Sequence, residues 1–321
     1  MPNYDESFVE NSLRALQEEQ SQTIDENTEL VMNRIDEYLA QYQGEDKVVT
    51  SHEIHEQLKK KPLPPPVTTF HPKLDDILGG FYPGQHILIG AQPKSGKSEF
   101  ILDLVRRTKD HNPLLLAFEQ DAEELITIMM ERGLEVPLFS TPRLNKTQSI
   151  KWITERITES VIKFGTRVVF LDHFGYIKPD KHHAGGYDML IVDLLQQLKK
   201  IAKSLQITIV TAVHTTKMSP LEVPTSDNLK GSAGFRQEAD AIIVLWREAY
   251  MEGKELIKTN KTLVSIQENR RKGTTGSFRM KMVDYKFIED EHILFHYESD
   301  NPDEDEEENR RFKKFAKGGN S

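Results

Sequence analysis

A chain of 321 residues, 37% of them hydrophobic, is long enough for one large domain with appendages. The absence of cysteine excludes disulfides and thiolate zinc sites and suits a reducing cytoplasm. No apolar run reaches membrane-spanning length and residues 1–6 are acidic, unlike a signal peptide, so neither a membrane partner nor export is expected. The net charge of -9 is weak evidence against a nucleic-acid ligand, because the acidity is concentrated at the chain ends, as in 303–308.

Residues 1–66 are expected to form a helical arm and linker. Leu30, Val31, Ile35, Tyr38, Leu39 and Tyr42 recur at three- and four-residue steps, the signature of an apolar helix stripe. Thr50-Ser51-His52-Glu53 reads as a capping box opening a short helix to Leu58, and the Pro-rich 62–66 ends it as a semi-rigid linker. The stripe suits either packing on its own core or docking on a neighbouring subunit.

From 67 to 298 strands and helices alternate, which predicts an α/β domain with a mostly parallel sheet flanked by helices. Strands are expected at 86–90, 113–118, 167–172, 207–213 and 241–246, with helices at 149–164 and 187–205 between them. A hairpin over 262–268 and 277–285 and a short strand at 292–297 close the domain. Residues 299–321, acidic and then basic at 310–317, read as a disordered tail.

The most informative stretch follows the first strand: Ala91, Gln92, Pro93, Lys94, Ser95, Gly96, Lys97 and Ser98 run into a helix. Such a turn aims backbone N–H groups and the positive end of a helix dipole at phosphate oxygens. Lys97 would reach the β- and γ-phosphates, and the Ser98 hydroxyl would complete a Mg²⁺ shell. The glycine that usually starts this pattern is replaced by Ala91, with Gly90 one residue early. Ligands in open α/β sheets bind beyond the carboxyl ends of the strands. There Asp172 is a candidate for Mg²⁺, Glu119 for polarising an attacking water, and His214 for a hydrogen bond to the γ-phosphate. Asp121, Glu123 and Glu124 read instead as a charge cluster at a helix start. His182-His183 lacks a third ligand at metal-binding spacing.

In this order the pieces resemble the RecA-type, P-loop ATPase domain of DnaB-like hexameric replicative helicases of phage or plasmid type, over residues 68–297. The lead-in 68–84, the phosphate loop 91–98, Phe118-Glu119, Leu171-Asp172-His173-Phe174 and His214 are similar to family segments. So are 228–240, which looks like the DNA-contacting loop and its helix, and 269–276, which looks like the arginine-finger hairpin. The resemblance implies ATP and Mg²⁺ as cofactors, Glu119 as catalytic base, His214 as sensor, and Arg271 as a finger acting on a neighbour. Bacterial relatives carry Lys where this chain has Asn269, which leaves open whether Arg270 substitutes. The family's separate N-terminal domain or primase does not fit in 1–66.

The implied activity is an ATP-dependent ring translocase, unwinding DNA by moving on single strands at a replication fork. The DNA would pass loops at 178–186 and 217–232, where Lys178, Lys181, Lys217 and Lys230 would meet phosphates and Gly231 and Ser232 offer N–H groups. Those loops otherwise read as ordinary basic surface. A homo-oligomer, most simply a hexameric ring, is expected in the cytoplasm, that of a bacterial host if the chain is phage-encoded, with primase, polymerase or a loader as candidate partners. The alternative is a RecA/RadA-like recombinase or recombination mediator. A third class is a non-motor ATP-binding switch, and fold alone does not separate the three.

Overall fold

The computed structural model describes residues 44, 47–179 and 186–295. The stripe between Leu30 and Tyr42, Lys181 with its loop at 180–185, and the tail lie outside the described residues. The chain divides into two compact units, Met1–Leu63 and Pro64–Ser321. In the first, helix α1 (Ser51–Lys60) opens on the expected capping box. The Thr50 hydroxyl accepts from the Glu53 N–H at 3.2 Å, and the Glu53 carboxylate accepts from the Thr50 N–H at 3.4 Å.

The second unit runs α2 (Pro72–Leu78), β1 (His86–Ala91), α3 (Lys97–Arg107), β2 (Leu114–Ala117), α4 (Ala122–Glu131) and α5 (Ile150–Phe164). It continues through β3 (Val168–Asp172), α6 (Tyr187–Leu205), β4 (Thr208–His214), α7 (Ser232–Glu238), β5 (Ala241–Glu252), β6 (Glu255–Asn269), β7 (Gly276–Val283) and β8 (Lys286–Phe295). These strands form one 8-stranded sheet in the order β2-β3-β4-β1-β5-β6-β7-β8. The first five in that order are parallel and the last three antiparallel.

The parallel strands are buried on both faces, so they read as continuous apolar runs, and successive residues feed opposite cores. Ile87, Ile89, Val168, Phe170, Val210 and Ala212 pack with Phe100 and Leu104 of α3. Leu88, Val169, Leu171, Ile209 and Val213 pack with α5 and α6 through Ile153, Ile157, Leu194 and Leu198. Register then decides where chemistry can gather. Ala91 pairs with His214, and Ala117 pairs with Asp172, so β1 to β4 finish along one edge.

Two boundaries differ from expectation. Strand β5 continues past 246 to Glu252 and returns through Gly253 at φ 62° into β6. Beyond Trp246 none of its residues is buried, so no apolar alternation marks the extension. Strand β7 ends at Val283, and Asp284 and Tyr285 (φ 48° and 58°) make a two-residue turn of the kind that suits twisted hairpins. Strand β8 therefore starts at Lys286 rather than near 292. That turn carries none of the usual Asn-Gly or Asp-Gly signals.

Candidate nucleotide site and basic surfaces

The phosphate-loop candidate links β1 to α3 as expected. Gly96 stands at φ 84° as the N-cap of α3, and Lys94 is also left-handed at φ 58°. Gly90 is required for a reason outside the loop: a Cβ there would lie 2.3 Å from the Leu229 side chain. The early glycine therefore lets the 228–230 segment pack on β1, while Ala91 is simply a buried strand end. The Gln92 side-chain amide donates to the Ser219 carbonyl at 2.9 Å. Lys258, from the unexpected β5–β6 extension, donates to the Lys94 carbonyl at 3.1 Å. Ser95 is buried, whereas Pro93, Lys94 and Ser98 are exposed.

A cleft of ≈ 290 Å³ opens between this loop and the strand ends, lined among others by Lys97, Ser98, Glu119, Asp172, His173 and His214. Lys97 is 6% exposed, with Nζ 3.8 Å from Asp172 Oδ1 and within 3.5 Å of both His214 ring nitrogens. Burial lowers the Lys97 pKa against the opposing pull of Asp172 and Glu119. Burial, then the Lys97 charge, lowers that of His214 to about 4, so its imidazole is neutral at physiological pH. His173 is likewise pushed down, by burial and then by Lys97. Its ring meets His214 edge-on at 4.3 Å. Glu119 is 57% exposed, with Oε1 3.4 Å from His173 Nε2 and 3.5 Å from the Tyr176 hydroxyl.

Among the described residues no group of three His, Cys, Asp or Glu side chains could hold a metal by itself. Ser98 and Asp172 supply two hard oxygen donors beside the loop, which fits an ion that takes its remaining ligands from phosphate and water.

Arg271 lies at the other end of the sheet. Asn269 pairs with Ala241, which pairs with Ile87, whereas the phosphate loop begins past Ala91. Four strand residues span ~13 Å at about 3.3 Å each, so Arg271 is remote from the cleft beside Lys97 in its own chain. Its guanidinium lies 3.8 Å from the centre of the Tyr82 ring. Arg270 donates to the carbonyls of Arg236 and Gln237 at the end of α7, at 2.9 and 2.5 Å, and Lys272 donates to the Asp76 carbonyl at 2.7 Å. Asn269 is buried and donates to the Ile77 carbonyl at 3.0 Å. Asn269 and Arg270 are thus engaged within the chain, and Arg271 alone among the turn's cations has no hydrogen-bond acceptor among the described residues.

Of the predicted DNA-contacting lysines, those among the described residues, Lys178, Lys217 and Lys230, do not line the cleft. Lys178 and Lys217 are exposed, and the Lys178 backbone pairs with Gln148 and Ile150. Lys230 is exposed, with Nζ 5.6 Å from the centre of the Tyr187 ring. Its N–H donates to the His214 carbonyl at 3.0 Å, and Thr215 bridges Leu229. Gly231 and Ser232 then start α7. The sensor candidate and the DNA-loop candidate thus share a short backbone ladder.

Sequence reasoning missed several supporting residues. Asn145 donates to the carbonyls of Ala117 and Gln120, at 2.8 and 3.2 Å, clasping the turn that carries Glu119. Asp103, buried in α3, accepts from Arg106 and Arg107 at 2.8 and 2.7 Å and lies 2.8 Å from His71 Nε2. An Asp three and four residues before two arginines is a readable helix pattern; the loop position of Asn145 carries no such signal.

Residues 66–161 and 138–287 match the family model described as DnaB-like helicase C terminal domain. The chain is similar to the replicative DNA helicase DnaB of Leifsonia xyli subsp. xyli, 23% identical over 220 residues, covering 58% of this chain and 48% of that one. It is also 23% identical over 250 residues to DnaB of Haemophilus influenzae, covering 67% and 53%. The chain thus spans about half the length of the curated relatives it matches. Among solved structures it shares the fold of one described as an ATPase domain, with TM-score 0.60 and 19% identity over 75% of this chain and 97% of that one. A DnaB-like replicative helicase described with its interactions with primase gives TM-score 0.60 at 19% identity, over 88% and 76%.

Proposed function

This chain belongs to the DnaB-like helicase C-terminal domain family, and on that premise we propose that it is an ATP-hydrolysing ring translocase that unwinds DNA by moving along a single strand. The observation that carries the proposal is a division among the candidate residues: Lys97, Asp172, Glu119 and His214 converge at one edge of the sheet, and Arg271 lies at the other. A chain built this way has a hydrolysis site with Lys97 but no arginine, and an arginine that lacks a site. Head-to-tail association of identical subunits supplies each with the other and closes a ring.

In this reading Lys97 and the N–H groups of the loop neutralise the β- and γ-phosphates of ATP. Ser98 and Asp172 would hold Mg²⁺, which would supply positive charge against the phosphate oxygens. Glu119 accepts the proton of the attacking water, and the neutral His214 lies beside Lys97 where the γ-phosphate would sit. Arg271 of one subunit stabilises transition-state charge on the nucleotide of the next. Lys230, with Tyr187 beneath it, offers a cation over an exposed ring, the pairing that holds single strands by phosphate contact and base stacking. Lys217, Lys178 and Lys181 are further candidates for phosphate contact, and Gly231 and Ser232 for backbone donors.

The workplace of such a motor is the cytoplasm, of a bacterial host if the chain is phage-encoded. Primase, polymerase or a loader would be its partners at the fork. The test is ATP turnover with and without single-stranded DNA, alongside unwinding of a forked duplex. Stimulation by the strand together with unwinding supports the proposal, and turnover indifferent to DNA contradicts it.

A further inference from the structure

His173 follows the Mg²⁺ candidate Asp172, yet its ring is built into the site by contacts of its own. The Gly175 N–H donates to His173 Nδ1 at 3.0 Å, which makes Nδ1 the acceptor of the ring. A Cβ on Gly175 would lie 2.8 Å from His173 Cε1, so residue 175 must be glycine for the ring to lie where it does. Tyr176 and His214 flank the ring, with centroids 4.8 and 4.3 Å away. Of the two nitrogens of a neutral imidazole one is an acceptor and the other carries the proton. With Nδ1 accepting, the proton is on Nε2, and Nε2 stands 3.4 Å from Glu119 Oε1.

We infer that His173 is a positioning residue for the hydrolysis reaction, its Nε2–H holding one carboxylate oxygen of Glu119 so that the other faces the attacking water. The inference rests on the reading of Glu119 as the group that polarises this water. The 3.4 Å gap is longer than a formed hydrogen bond, and a small rotation of the exposed Glu119 side chain closes it. Catalytic contacts commonly tighten in this way only when substrate is bound. Without the clasp, the carboxylate of an exposed glutamate samples many rotamers, and misplacement by about 1 Å costs on the order of 10²-fold in rate. His214 touches the same ring, so the candidate γ-phosphate sensor and the candidate base share one neighbour.

The test compares His173→Leu, His173→Gln, Glu119→Gln and the His173→Leu/Glu119→Gln double variant in the full chain. Readouts are kcat and KM for ATP, with binding of a non-hydrolysable ATP analogue reporting an intact site. His173→Leu should lower kcat by roughly 10- to 100-fold with KM little changed. His173→Gln, which restores an N–H donor at similar reach, should recover part of the loss. In the Glu119→Gln background the leucine should cost less than about twofold, because there is no base left to position. The inference is overturned if His173→Leu turns over like wild type, if glutamine rescues nothing, or if the loss is as large without Glu119 as with it. Near wild-type turnover by Glu119→Gln overturns instead the glutamate reading on which this rests, so the two failures are distinct.

Discussion

Lys97 and His86 are both buried basic side chains, and the fold handles them in opposite ways. Lys97 is given carboxylate company, with Asp172 Oδ1 at 3.8 Å, in a cleft open to a ligand. Lys97→Ala should therefore abolish nucleotide binding or turnover, since the phosphate charge is left uncompensated. Glu119→Gln should still bind ATP and DNA while hydrolysing about 10²- to 10⁴-fold more slowly. Titration with a nucleotide analogue and steady-state turnover separate the two. Wild-type turnover by Glu119→Gln would make this residue a cap and turn attention to Asp121. His86 is wholly buried, with Nε2 2.8 Å from the Thr211 hydroxyl and no partner for Nδ1. Burial, opposed by Asp240 and assisted by Lys199, lowers its pKa to about 4. The unfolded chain takes up a proton at this residue near its ordinary value of 6.5, while the folded chain resists until about 4. Its contribution to stability is thus present above the unfolded pKa and lost as pH falls between those values. From about pH 7.5 to about pH 5 this residue alone should cost ~2 kcal/mol of unfolding free energy. Denaturant titrations at the two pH values should show His86→Gln losing that much less than wild type, and equal losses would contradict the assignment.

At the scale of elements, α3 is fastened at both ends. Its start is the phosphate-loop candidate, and its end is the buried Asp103 with His71, Arg106 and Arg107. The two arginines also donate to the carbonyls of Tyr285, Phe70 and Phe287, tying β8 and the segment before α2 to this helix. Burial raises the Asp103 pKa, but hydrogen bonds from His71 and Arg107 outweigh it and hold the carboxyl below the ordinary range. Asp103→Ala strands these donors and should cost roughly 3–5 kcal/mol by chemical denaturation; a loss under about 1 kcal/mol would show the network to be dispensable. The loop from His214 to α7 is the element that faces DNA in the proposed function. Lys230→Ala should weaken single-strand binding across all sequences and reduce the salt slope by about one phosphate contact. An unchanged slope would move the strand elsewhere, the basic 310–317 segment being the next place to look. Apolar runs flanked by turns made β1, β3 and β4 legible in the sequence, and with them Lys97, Asp172 and His214 at their ends. The β5–β6 extension was not legible, because a hairpin standing in solvent needs no apolar alternation. Asn145 was hidden for another reason: it works through backbone carbonyls distant in sequence, and such contacts leave no local pattern. The role of Gly90 was not legible from spacing alone, since Leu229 is what demands it.

At the scale of the whole molecule, the proposed hydrolysis site is shared between subunits. Arg271→Ala subunits should fold, bind ATP and assemble, because Tyr82 loses only a stacked guanidinium at the surface. They should not hydrolyse. Lys97→Ala subunits should fail in the complementary way, keeping a finger and lacking a phosphate site. The decisive measurement is ATP turnover by a mixture of the two, with exchange of labelled subunits followed in the same sample. A junction joining the intact phosphate loop of one variant to the intact finger of the other should regain hydrolysis. An arginine finger is worth on the order of 10³-fold or more in turnover, so even a minority of repaired junctions will stand clear of background. Activity in the mixture should lie well above that of either variant alone. A mixture that exchanges subunits and remains as inactive as its components would contradict a shared site.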